Sequence, residues 1–125
     1  MPLHTTPTVL TKHRNGATDS IKSIINNLNS AKLDVSTEVV ISPPALYLPL
    51  ARELANPKIG IAAQNVFDKP NGAYTGEISV DQLKDTKVDW TLVGHSERRV
   101  ILKEGDEVCI SFFSKIYGYP LTCYV

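Results

Sequence analysis

Val88-Asp89-Trp90-Thr91-Leu92-Val93-Gly94-His95-Ser96-Glu97-Arg98-Arg99 is the stretch that decides the fold. Its first six residues read as a short buried β-strand, and Val100-Ile101-Leu102 just beyond it read as helix. A histidine therefore stands where a strand ends and a helix begins. In α/β folds the C-termini of strands and the N-termini of helices converge on one face, and chemistry collects there. The partial positive charge of a helix N-terminus disfavours an imidazolium. A neutral imidazole in that position can donate a hydrogen bond to a substrate carbonyl. Ser96 reads as the N-cap and Glu97 as a first-turn acid, and spacing alone leaves Arg98 and Arg99 open between solvated helix positions and a role in the site. Spacing alone leaves His95 open between a structural and a catalytic histidine.

Upstream, helix and strand alternate. Ile21, Ile24, Ile25 and Leu28 fall on one helical face, with Thr18 or Asp19 as the expected cap. Glu38-Val39-Val40-Ile41 reads as a buried strand stopped by Ser42-Pro43-Pro44. A second helix carries Leu50, Ala51 and Leu54, with Pro49 in its first turn. Lys58 to Ala63 is the next strand, and Ser79-Val80-Asp81-Gln82 is a capping box that opens a third helix. Between them lies a polar loop, Gln64 to Glu77, long enough to suggest docking. Uninterrupted alternation implies an α/β fold with a parallel sheet and right-handed crossovers.

Composition narrows the function classes. Thirteen basic and thirteen acidic side chains cancel in 125 residues, and no basic run suggests nucleic acid. No apolar stretch approaches membrane-spanning length, and the first residues lack the pattern of a signal peptide, so a cytoplasmic protein is expected. Cys109 and Cys123 have no metal-like spacing and read as free thiols. The charge is unevenly spread. Every acid lies between Asp19 and Glu107, and residues 108–125 hold one charged side chain, Lys115, with five of the nine aromatics.

Val40-Ile41-Ser42-Pro43-Pro44, Ala63-Gln64-Asn65, Gly72-Ala73-Tyr74-Thr75-Gly76-Glu77-Ile78-Ser79 and Trp90 to Arg99 occur in one order and spacing. Together they resemble the triosephosphate isomerase family. The resemblance implies a partial TIM (β/α)₈ barrel, about half of one, with parallel strands alternating with helices. Residues 15–107 are the expected barrel portion; residues 1–14 and 108–125 read as segments foreign to the family, of the kind that translated introns would supply. The implied activity is interconversion of dihydroxyacetone phosphate and D-glyceraldehyde 3-phosphate in glycolysis and gluconeogenesis. No metal or organic cofactor is implied, and neither nucleic acid nor membrane is an expected partner.

The resemblance also assigns residues. His95 takes the place of the family's electrophile, paired in that chemistry with a glutamate base, and Glu97 that of a supporting acid. Thr75, Gly76, Glu77 and Arg98 take positions at a homodimer interface. Thr11 to Gly16 match the family's first substrate-binding motif only at Asn15 and Gly16. The general-base glutamate and the later phosphate loops have no counterpart in the chain. An inactive, loosely folded chain is therefore expected, and the alternative is a non-catalytic module that docks onto full-length isomerase subunits.

Overall fold

Burial parity along the strands sets the architecture. The computed structural model describes residues 8–12, 17–116 and 122–124, with side chains described for 17–111. Strand β1 is Thr8–Lys12, β2 is Glu38–Ser42, β3 is Ile59–Ala63, β4 is Trp90–Leu92 and β5 is Thr122–Tyr124. They form one five-stranded sheet in the order β1-β2-β3-β4-β5. Every neighbouring pair is parallel, in registers such as Val40↔Gly60, Ala62↔Trp90 and Trp90↔Thr122. Among the described residues β1 and β5 are edges, so the sheet is the open part of a barrel.

Alternate residues face opposite sides of a strand. Ile41, Ile59, Ile61, Ala63 and Val93 face the helices and share one core with Ile21, Ile25, Leu48, Ala51 and Leu83. Val40, Ala62 and Trp90 form a second cluster on the other face. Gly60 belongs to that inner layer: a Cβ there would stand 3.0 Å from both Trp90 Nε1 and Val40 Cγ2. The indole thus fills the space that a side chain at residue 60 would need.

The helices are α1 (Thr18–Ser30), α2 (Leu48–Leu54), α3 (Val80–Asp85), α4 (Ser96–Ile101) and α5 (Asp106–Ile116). Ile21 and Ile25 are fully buried, as the periodicity requires, but the cap of α1 differs from expectation. Ala17, which has no side-chain acceptor, is the N-cap, and Thr18 and Asp19 lie inside the helix. The Ser20 hydroxyl compensates by accepting the Ala17 N–H at 3.0 Å. Pro49 sits in the first turn of α2, where its missing N–H is harmless. Asn29 ties α1 to the end of α2, donating to Leu54 O at 2.9 Å and accepting from Asn56 N at 2.8 Å. The capping box at Ser79 forms as expected, with reciprocal bonds between Ser79 and Gln82.

Helix α5 and strand β5 continue the α/β order into residues 108–125, where composition alone suggests a foreign segment. Val108, Cys109, Phe112, Phe113 and Ile116 are spaced with helical period. Val108 is half-buried against the main core and Cys109 is buried within it as a free thiol. Ser111 donates to Asp68 Oδ2 at 2.5 Å, joining α5 to the loop after β3.

Candidate active site

The site begins at the end of β4. Trp90, Thr91, Leu92 and Val93 are buried, so the chain leaves the sheet along a fixed path. Gly94 then turns it at φ +73°, a conformation that other residues adopt only with strain. Space imposes the same choice, because a Cβ would lie 3.0 Å from Cys109 Sγ and 3.1 Å from Arg99 Nη2.

His95 follows with extended backbone (φ −56°, ψ 140°) and is itself the N-cap of α4. Its Nδ1 accepts the Glu97 backbone N–H at 3.2 Å. This corrects the expectation that Ser96 caps the helix: Ser96 is the first helical residue. The imidazole reaches the orphan amide as an Asn or Asp oxygen would. A nitrogen that accepts a hydrogen bond carries no proton, so the neutral ring holds its proton on Nε2. The Glu97 carboxylate is exposed, and its Oε2 lies 3.8 Å from Nδ1, beyond hydrogen-bonding distance. The Glu97 peptide orients the ring through Nδ1.

Both arginines are anchored by hydrogen bonds to neighbouring groups. Arg98 forms a two-pronged bridge to Glu104, with Nε at 3.1 and 3.0 Å from the two carboxylate oxygens and Nη2 at 2.6 Å from Oε1. Arg99 Nε donates to Gly94 O at 2.8 Å, and Nη1 donates to Asp106 Oδ1 at 2.6 Å. Asp106 first, and then Cys109, raise the pKa of the Arg99 guanidinium further above its ordinary value.

At the same end of the sheet, Gln64 Nε2 donates to Ser42 O at 2.9 Å, closing the exit of β3 over that of β2. Ser42 Oγ is fully buried and makes no hydrogen bond among the described residues. The loop from Gln64 to Ser79 is held at its base by the bond from Phe67 N to Ile78 O (2.7 Å) and by the Asn71–Ser79 side-chain contact. Phe67 and Tyr74 pack with ring centroids 5.0 Å apart. A hollow of about 480 Å³ lies beneath the loop, lined by Phe67, Asn71, Tyr74, Thr75 and Gln82 among others. Thr75, Gly76 and Glu77 form its exposed tip, where Gly76 turns at φ +88°.

A family model described as triosephosphate isomerase matches residues 11–125. The chain belongs to the triosephosphate isomerase family. It is 72% identical over 93 residues to a triosephosphate isomerase of Emericella nidulans, which covers 74% of this chain and 37% of that protein. It is 69% identical over 93 residues to one of Paracoccidioides lutzii (74% and 37%). The match to a Neurospora crassa relative is 55% over 98 residues (78% and 40%). The chain thus spans well under half the length of these curated relatives.

Within this triosephosphate isomerase segment, His95, Glu97, Arg98 and Arg99 share one strand-to-helix elbow, while Thr75, Gly76 and Glu77 stand on the loop after β3. Asn15 and Gly16 lie outside the described residues, as do the side chains of Lys12 and Cys123. Among the described residues no three His, Cys, Asp or Glu side chains gather to hold a metal ion, and no helix is long and apolar enough to cross a membrane. Sequence reasoning missed the roles of Gln64 and Arg99. Gln64 carried a faint signal, since it directly follows an apolar strand; Arg99 carried none beyond its place in the motif.

Proposed function

We propose that this chain supplies the electrophilic half of a triosephosphate isomerase site. His95 donates from Nε2 to the carbonyl oxygen of dihydroxyacetone phosphate or D-glyceraldehyde 3-phosphate, stabilising the charge that develops as a proton leaves the neighbouring carbon. The supporting observation is the Glu97 N–H to His95 Nδ1 bond, which commits the proton to Nε2. Glu97 supports through its backbone. Thr75, Gly76, Glu77 and Arg98 take part in homodimer formation; the exposed tip of the 64–79 loop favours that role. The setting is cytoplasmic, in glycolysis and gluconeogenesis. Residues 15–107 are the proposed barrel portion, a span as long as the 93-residue matches, within a family-model match that runs over residues 11–125.

The match covers 37% of the Emericella nidulans relative, and turnover is proposed to need the remaining portion as well. Co-expression with the remaining portion of the Emericella nidulans relative tests the reading. Isomerase activity should appear and fall about 10²–10³-fold on His95→Gln, as when one oxyanion donor is removed. Activity indifferent to His95→Gln would refute it.

The open edges β1 and β5 favour a second reading: docking as a non-catalytic module onto full-length isomerase subunits. Co-purification with such a subunit that is lost on Thr75→Arg would support it. Capture unaffected by that change would exclude docking through the loop.

A further inference from the structure

Resting on the electrophile reading of His95, we infer that Arg99 is a positioning residue for that ring. The guanidinium reaches the elbow and the start of α5 at once. Nε holds the carbonyl of Gly94 at 2.8 Å, the peptide that leads directly into His95. Nη1 holds Asp106 Oδ1 at 2.6 Å, at the start of α5. Nη2 lies over Gly94 beside Cys109 Sγ, where a Cβ on residue 94 would come within 3.1 Å of it. The Arg99 backbone N–H adds a bond to His95 O at 3.1 Å.

This clamp matters because Gly94 sits at φ +73° without a side chain to restrain it. The peptide between residues 94 and 95 could otherwise rotate, since glycine tolerates many backbone angles. Rotation would carry His95 out of its capping conformation and separate Nδ1 from the Glu97 N–H. That bond, 3.2 Å long, is what selects the Nε2–H tautomer. Arg99 therefore acts on the ring through the backbone, without touching the reacting atoms. Two separate nitrogens of one planar fork meet the two acceptors, whereas a lysine would have to reach both the Gly94 carbonyl and Asp106 from a single nitrogen.

The test is ¹⁵N NMR of the His95 ring in the full 125-residue chain at alkaline pH, where the imidazole is neutral. The wild-type chain should show one tautomer, Nε2–H. Arg99→Gln should shift the Nδ1 resonance toward its protonated position as a second tautomer appears, and Arg99→Lys should rescue little. Arg52→Gln is the control for loss of structure alone. Arg52 donates to the carbonyls of Ala55, Asn56 and Ile59 far along the chain from the elbow, and its loss should leave the His95 resonances in place. Unchanged His95 resonances in Arg99→Gln would overturn the positioning role while leaving the electrophile reading intact. The same shift in Arg52→Gln would overturn it too. A wild-type ring protonated on Nδ1 would overturn the electrophile reading, and the positioning role with it.

Discussion

Arg98 and Glu104 grip each other through two guanidinium nitrogens, the closest contact being 2.6 Å, with side chains only 28% and 15% exposed. The pair staples the first turn of α4 to the segment beyond its end. Charge-assisted, two-pronged pairs with little solvent contact are stronger than surface bridges. Glu104→Ala leaves a half-buried guanidinium without its carboxylate and should cost about 1–3 kcal/mol in urea unfolding. A double-mutant cycle with Arg98→Met should give clear coupling. Coupling within error of zero would show that the bridge contributes nothing.

Lys87 ends α3 at φ +59°, and Val88 N closes back onto Leu83 O at 2.9 Å. That is the left-handed helix stop usually given to glycine. A Cβ is strained there, so Lys87→Gly should stabilise the chain by about 0.5–1 kcal/mol, while Lys87→Val should destabilise it. Thermal melts of the two variants decide the matter: a lower midpoint for the glycine variant contradicts the strain argument.

Ser79 is shared between helix and loop. Its hydroxyl accepts from Gln82 N at 3.2 Å and also meets the Asn71 side chain. Ser79→Ala should cost about 1 kcal/mol as a lost cap. It should also expose the Asn71–Gly76 loop to limited proteolysis several-fold faster than in the wild type. Loss of stability with unchanged cleavage would confine Ser79 to capping.

Acid sensitivity has a local source in the turn before β2. The Ser36 backbone N–H, and then its hydroxyl, hold the Asp34 carboxylate below its ordinary pKa. With a lower pKa folded than unfolded, this contribution is complete above the unfolded value of about 4 and fades as pH falls through the folded value. Asp34→Asn keeps the turn's acceptor but not the titration. Its stability should fall less steeply below about pH 4 than that of the wild type; parallel pH profiles would rule Asp34 out.

Val100, Ile101 and Leu102 are 68%, 68% and 57% exposed, and Ile110 on α5 is 66% exposed. Apolar surface of this kind, together with two open sheet edges, favours association. Sedimentation should show the chain self-associating with concentration, and Val100→Lys with Ile101→Glu should reduce that without lowering stability. A wild-type chain that stays monomeric at high concentration would contradict this.

Short-range patterns in the sequence determined most of the framework. The i, i+3, i+4, i+7 spacing from Ile21 to Leu28, the apolar runs ending at Ile41, Ala63 and Val93, and the Ser79–Gln82 box each depend on neighbours within a turn or two. The strand-to-helix place of His95 was legible for the same reason. Tertiary structure alone decided the rest. That His95 caps α4 in place of Ser96, that Arg99 reaches back to Gly94 and across to Asp106, and that Trp90 fills the space beside Gly60 all follow from atoms brought together by folding. Residues 108–125 make the contrast plain: helical spacing was present, yet only packing of Cys109 into the core and pairing of β5 on β4 gave it a place. Periodicity reports which face of an element is apolar. What that face, or a long polar side chain, finally meets depends on segments tens of residues away, and no local pattern encodes that distance.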